Sequence, residues 1–340
     1  MSALRPGLAT ACGSLPHTDP TEATELVLDA LPGLPAAPTL PRRHPSEGML
    51  GQAAWGLGGV TVAPDGSLIV DSDGLDREAA GVDDEHLPFE PFGATASFLD
   101  ALEARHWAGP VKLQCTGPVT LGVGLVSAGA APRDAFPAAS AAVRRRVRAI
   151  VAEARRRLPE NTLVVVVDEP SLGPATLGDA PVGVEEAVDL VSGTLGAVEA
   201  VAVAGLHCCH VADWGAVLRA GPHLLSLPVD IGATLRPSDL GPFLDRGGWV
   251  AWGAVPTSAP LAPVGGGGVP RLWRSLAARW HALADGGVDP VLLRRRALVT
   301  PACGLARHDV AQAALALRLT AALGARVAAG TSEHARRTGG

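Results

Sequence analysis

Apolar residues along the chain fall into short blocks that alternate with longer stretches of helical periodicity. The blocks at 8–16, 111–121, 162–170, 200–209, 224–230, 249–256 and 297–305 predict strands. The stretches at 21–31, 94–107, 140–158, 183–198, 212–220, 238–247, 270–283 and 308–323 carry apolar residues three and four apart and predict helices. Val164 to Val167 is continuously apolar rather than alternating, as expected of a parallel strand with both faces covered. Strand–helix alternation with no linker predicts one (β/α)8 TIM barrel over residues 1–330. One segment breaks the pattern: at about 58–72, two short β-rich runs flank Pro64, Asp65 and Gly66 and predict a β-hairpin inserted at the barrel mouth. The glycine-rich run 264–269 predicts a flexible surface loop, and 331–340 a disordered tail.

Composition supports a folded chain and removes some function classes. Of 340 residues, 47% are apolar and 18% charged, enough to bury a large core without crosslinks. A net charge of -6 gives no basic footprint, so no nucleic-acid partner is expected. The run Arg144, Arg145, Arg146 lies on a helical pattern beside Glu153 and is read as a solvated helix face. No stretch reaches the roughly 18 consecutive apolar residues of a membrane span, and the start of the chain lacks a secretory layout. A cytoplasmic protein with no membrane partner is expected. The five cysteines are an odd, sparse set that suits reduced thiols or metal ligands better than disulfides.

In this barrel class, chemistry gathers where strands end. Ser14 and His17, Asp168 and Glu169, His207 and Cys209, Asp230, and Cys303 all stand at predicted strand ends. A His-x-Cys pair in extended backbone points both side chains the same way, so His207 and Cys209 can share one ion. Cys303, at the end of the last strand, can complete a His/Cys/Cys set. Zinc accepts such a set, and three protein ligands with one exchangeable position is the arrangement of a catalytic site. Cys208 should face the other way, with His210 a reserve ligand just outside the strand. Taken singly, each of these residues is better read as an ordinary buried cysteine or a satisfied core histidine; their joint position at strand ends favours the metal.

The order of short motifs resembles the C-terminal catalytic barrel of the cobalamin-independent methionine synthases, including the short archaeal-type proteins made of that barrel alone. The motifs are Gly13-Ser14-Leu15-Pro16, the Thr-Gly-Pro-Val-Thr of 116–120, Asp168-Glu169-Pro170, His207-x-Cys209, and Pro301-Ala302-Cys303-Gly304-Leu305. Gly-Pro-x-Thr also occurs in the related uroporphyrinogen decarboxylases; His-x-Cys with a late Cys-Gly-Leu separates the metal-dependent methyltransferases from them. The resemblance implies zinc (Zn2+) on His207, Cys209 and Cys303, Ser14 at the amino-acid end of homocysteine, and Asp168 as the catalytic-site carboxylate on its ammonium group. It also implies Glu47 as a second substrate-holding carboxylate. The implied reaction is methyl transfer to homocysteine, giving methionine.

The chain departs from that pattern in places. Pro228 stands where the family supplies a glutamate ligand, and Asp230, two residues on, is the candidate fourth ligand. Near Gly253 the family has a proton-donating histidine where this chain offers Thr257 and Ser258, and a donor-associated tryptophan is replaced by the run LGVGLVSAG. The N-terminal folate-binding half of the long enzymes has no counterpart here. The methyl donor is therefore expected to be either methyltetrahydrofolate or a methylcobamide carried by a corrinoid protein. A methyltransferase acting on another thiol, and a non-catalytic barrel that binds zinc or a sulfur amino acid, stay open as alternatives.

Overall fold

The computed structural model describes residues 4–261 and 268–338. Its centre is a parallel sheet of six strands in sequence order: β3 (Val111–Thr116), β4 (Leu163–Asp168), β5 (Val203–His207), β6 (Leu224–Pro228), β7 (Trp249–Val255) and β8 (Ala297–Pro301). The apolar runs are continuous because the sheet is buried on both faces. Val164, Val166, Leu224, Ala251 and Leu298 pack together on the inner face with Leu4 and Leu34. Their neighbours Val165, Val167, Leu225, Leu227, Val250 and Trp252 pack outward into the main core.

The eight regular strands expected of a full barrel are six. Between β8 and β3 run two extended segments joined to the sheet by isolated bridges: Ala9 to Val299, Ser14 to Thr39, and Ala36 to Lys112. The physical reason lies in the second segment, where Pro35, Pro38 and Pro41 lack the N–H a ladder requires. Carbonyls that a regular ladder would pair are met by side chains of β3. Lys112 Nζ donates to the Cys12 carbonyl (3.2 Å) and Gln114 Nε2 to the Ala37 carbonyl (2.6 Å).

The expected hairpin is present. β1 (Val60–Val62) pairs antiparallel with β2 (Leu68–Val70), and Gly66 turns at φ 86°, a conformation that favours glycine. The predicted strand 111–121 is shorter than expected. It stops at Thr116, and Pro118 opens the helix Pro118–Ser127, because a proline at the first helical turn loses no hydrogen bond.

The arginine run is not a solvated face. On the helix Pro132–Arg157, Arg146 is 1% exposed, donates to the Trp55 carbonyl and lies 5.4 Å over the Phe92 ring. Arg145 and Arg148 face Asp84, so the run clamps the segment that follows the hairpin.

The helix Val310–Thr338 takes in most of the segment read as a tail, and residues 339–340 lie outside the described residues. Its portion Val310–Gly330 is long and apolar enough to cross a membrane by length and composition. That portion buries Ala313, Ala316, Leu317, Leu323 and Val327 in the protein core. Most of the glycine-rich loop falls at 262–267, outside the described residues.

Candidate metal centre

Sheet register builds the site. Thr116 is level with Asp168, Asp168 with His207, and His207 with Ser226, which sets three polar side chains side by side across β4, β5 and β6. His207 is 5% exposed, and its Nδ1 lies 2.9 Å from Ser226 Oγ. Its Nε2 is buried and makes no hydrogen bond. A buried ring nitrogen without a partner is costly, and that cost disappears when an electron-pair acceptor sits there.

Cys209 follows the end of β5 by two residues and Cys303 the end of β8 by two, and both turn toward His207. The ligand atoms of the three all lie within 4.8 Å of one another. This donor set fits zinc: two soft sulfurs, and an imidazole whose free nitrogen is turned out when Nδ1 donates to Ser226. A hydrogen bond from Cys209, with the help of His207, favours the thiolate of Cys303, and the Cys209 thiol is correspondingly held high. Ser226→Ala removes the hydroxyl that orients the ring and is expected to weaken zinc binding roughly tenfold or more, measured by chelator competition.

A cavity of about 590 Å³ opens over the cluster, with Ser14, Asp168, His207, Cys209, Cys303 and Arg307 among its lining residues. Asp168 Oδ1 is buried without a partner, and burial pushes its carboxyl up to about 6 against the pull of Lys112 and His207. Ser14 lies against the Cys303 loop so closely that a Cβ on Gly304 would come 2.0 Å from Ser14 Oγ. A larger residue there would push the Ser14 hydroxyl out of its place.

Of the candidate ligands and substrate contacts, Asp230 is placed elsewhere, and Glu47 is placed at the cavity with its carboxylate already engaged. Glu47 lines the cavity but is 1% exposed, and its carboxylate is occupied. It accepts from Leu40 N (2.8 Å), Ala94 N (3.1 Å) and Arg43 Nε (3.0 Å), so it ties loops together. Asp230 is not brought to the cluster. The expectation that it faces the same side as Pro228 needs extended backbone beyond β6. Instead the chain turns there (φ -66°, ψ -49°), and Asp230 is exposed, its carboxylate accepting from Ile231 N (3.0 Å).

Burial disfavours the thiolate at the remaining cysteines: it pushes Cys115 up to about 12 and Cys208 up to about 11, and raises Cys12 as well. His210 stands beside the cluster, its Nδ1 3.6 Å from Cys209 Sγ. His308, on the loop after β8, donates from Nε2 to the Thr257 carbonyl (3.0 Å).

Sequence reasoning missed two contributors, Ser226 and Lys112, and gave a third, Glu169, no role. Ser226 could have been found by alternation along β6. Lys112, 3% exposed inside the ring, could have been found as a charge within an apolar strand. Glu169 explains two motifs at once. Its carboxylate accepts from Val119 N (2.8 Å), Thr120 N (2.8 Å) and Thr120 Oγ1 (2.6 Å) at the start of the helix Pro118–Ser127. A Cβ on Gly117 would come 2.2 Å from this carboxylate. Thr-Gly-Pro-Val-Thr and Asp-Glu-Pro are thus the two halves of one buried contact.

No protein-family model matches the sequence, and no curated protein matches it. Solved structures do. A B12-independent methionine synthase from Shewanella sp. W3-18-1, in complex with selenomethionine, aligns with TM-score 0.59 and 11% identity over 95% of this chain and 98% of that one. A methyltransferase from Methanosarcina mazei aligns with TM-score 0.55 and 16% identity over 94% and 93%. At these identities the likeness is one of fold: over nearly its whole length the chain is built like these two methyltransferases.

Proposed function

We propose that the protein transfers a methyl group to a thiol bound at a zinc centre, with homocysteine as acceptor and methionine as product. The observation that carries this reading is the convergence of His207, Cys209 and Cys303 at the floor of a cavity, with His207 Nε2 buried and unpartnered. His207, Cys209 and Cys303 would hold the metal. Zinc supplies one thing: it lowers the proton affinity of a coordinated thiol so that the thiolate is present at neutral pH.

The protein's own residues do the rest. Asp168 offers a buried, unpartnered oxygen to the acceptor's ammonium group. Ser14, fixed against the loop of Cys303, borders the same end of the cavity. Lys112 holds the segment that carries Ser14 through the Cys12 carbonyl. Six regular strands and two bridged segments together make an eight-position barrel, with this cavity at the end where its strands finish. All five cysteines are free thiols, in keeping with a reducing, cytoplasmic setting.

Isothermal titration of the zinc-loaded protein with L-homocysteine tests the reading. Binding that requires zinc, and methionine formed from methyltetrahydrofolate or methylcobalamin, is the expected result. Binding indifferent to zinc sinks it. The loss of the family glutamate at Pro228 favours a second reading, in which a different thiol is the acceptor; a panel of thiols with methylcobalamin would then give a product other than methionine.

A further inference from the structure

Among the described residues, Arg307 is the only arginine or lysine lining the cavity over the candidate metal centre. It is exposed at the rim and makes no hydrogen bond, ion pair or ring contact with the described residues. Its place is nonetheless fixed. Two residues before it, Leu305 N donates to the Ser14 carbonyl (2.8 Å); one residue after it, His308 is bound to the Thr257 carbonyl.

The other charges around the cavity offset one another, Asp168 through its nearness to Lys112 rather than through a bond. Glu47 is paired with Arg43. Asp168 and Lys112 line one small polar chamber beneath the site. Two cysteine thiolates balance a divalent ion. An amino-acid thiol entering as its thiolate adds two negative charges and one positive, which leaves one carboxylate without a counter-ion. Enclosing an unmatched carboxylate is strongly unfavourable. A guanidinium meets a carboxylate through two parallel N–H groups, and Arg307 is the lining cation with those groups unused.

Resting on the methyltransferase reading, we propose that Arg307 is a specificity-determining residue that binds the carboxylate of the acceptor, so that the site selects thiols carrying a carboxylate over neutral or purely cationic ones. The test is calorimetry on the zinc-loaded full chain with four thiols: L-homocysteine, 3-mercaptopropionate, cysteamine and 2-mercaptoethanol. Arg307→Ala is expected to weaken the first two roughly tenfold and leave the last two unchanged, with zinc content unaltered. Arg307→Lys should recover part of the lost affinity by restoring the charge without the paired N–H geometry. Equal losses across all four thiols, or no loss in any, overturns the assignment, as does an effect confined to the methyl donor. Failure of the wild type to bind any of the four defeats the methyltransferase reading itself and is thereby distinguished from failure of the Arg307 assignment.

Discussion

A Cys303→Ala protein is expected to come off purification without zinc, where the wild type carries about one ion per chain. The three candidate ligand atoms lie within 4.8 Å of one another, so removing one leaves two donors that no longer enclose an ion. Loss of a direct ligand should exceed the roughly 10–100-fold cost of losing a residue that only orients one. Asp230→Ala is the matched control. Asp230 sits exposed, capping the turn that starts at Ile231, and its removal should leave the metal in place. Elemental analysis of both variants beside the wild type reads the outcome directly. Zinc retained by Cys303→Ala, or lost by Asp230→Ala, would require a different ligand set. Cobalt substitution adds a second readout, because sulfur-to-cobalt charge transfer should weaken in Cys303→Ala.

Glu169→Gln is expected to destabilise the fold by about 2–4 kcal/mol while leaving the zinc ligands intact, since a buried acceptor of three hydrogen bonds is replaced by a group that accepts at only one atom. The effect should depend on pH in a definite direction. Burial pushes the Glu169 carboxyl up to about 7 from an ordinary value of 4.5, despite the donors around it. A raised value in the folded state means that the acid form is favoured by folding. The stability it contributes is fully present below about pH 4.5 and is lost as pH rises through about 7. Glutamine does not titrate, so the gap between wild type and variant should be widest near pH 5 and narrower at pH 8. Denaturant melts of the zinc-loaded proteins at the two pH values measure it, and a gap that widens with pH would show that the carboxylate, not the acid, is the form the fold prefers.

Much of the frame is visible in the apolar pattern because the sheet is buried on both faces. The run Val164 to Val167 and the block at 249–256 have no polar interruption to confuse them, and β4 and β7 fall inside those predicted blocks. The segment from Pro35 to Pro41 escapes the pattern. It has three prolines, only one large apolar side chain and no ladder of its own, yet it bridges to the edge of the sheet at Lys112. His207, Cys209 and Cys303 are legible for a different reason: two of them follow strand alternation and the third ends a separate strand, so sequence position alone aims them at one rim. Asp230 shows the limit of that rule, which holds only while the backbone stays extended. Glu47 shows another, since whether a carboxylate is free depends on a partner such as Arg43, and nothing in the local sequence reveals that Leu40 and Ala94 also spend its acceptors. Lys112 and Ser226 are the quiet residues of the site, each recognisable only once the register is known.

The bridged seam between β8 and β3 divides the site into halves of unequal firmness. His207 leaves a strand laddered on both sides and Cys303 one laddered to β7 across a bulge, whereas Ser14 is carried by a segment with isolated bridges, scattered backbone hydrogen bonds and the side-chain bond of Lys112. Each edge of that seam is held by only two or three backbone hydrogen bonds, against six register pairs between β3 and β4, so its amides should exchange with solvent deuterium earlier than those of β4. On the proposed reading, the side of the cavity that would take the acceptor can open while the residues that would hold the metal stay in place, so product could leave without the metal.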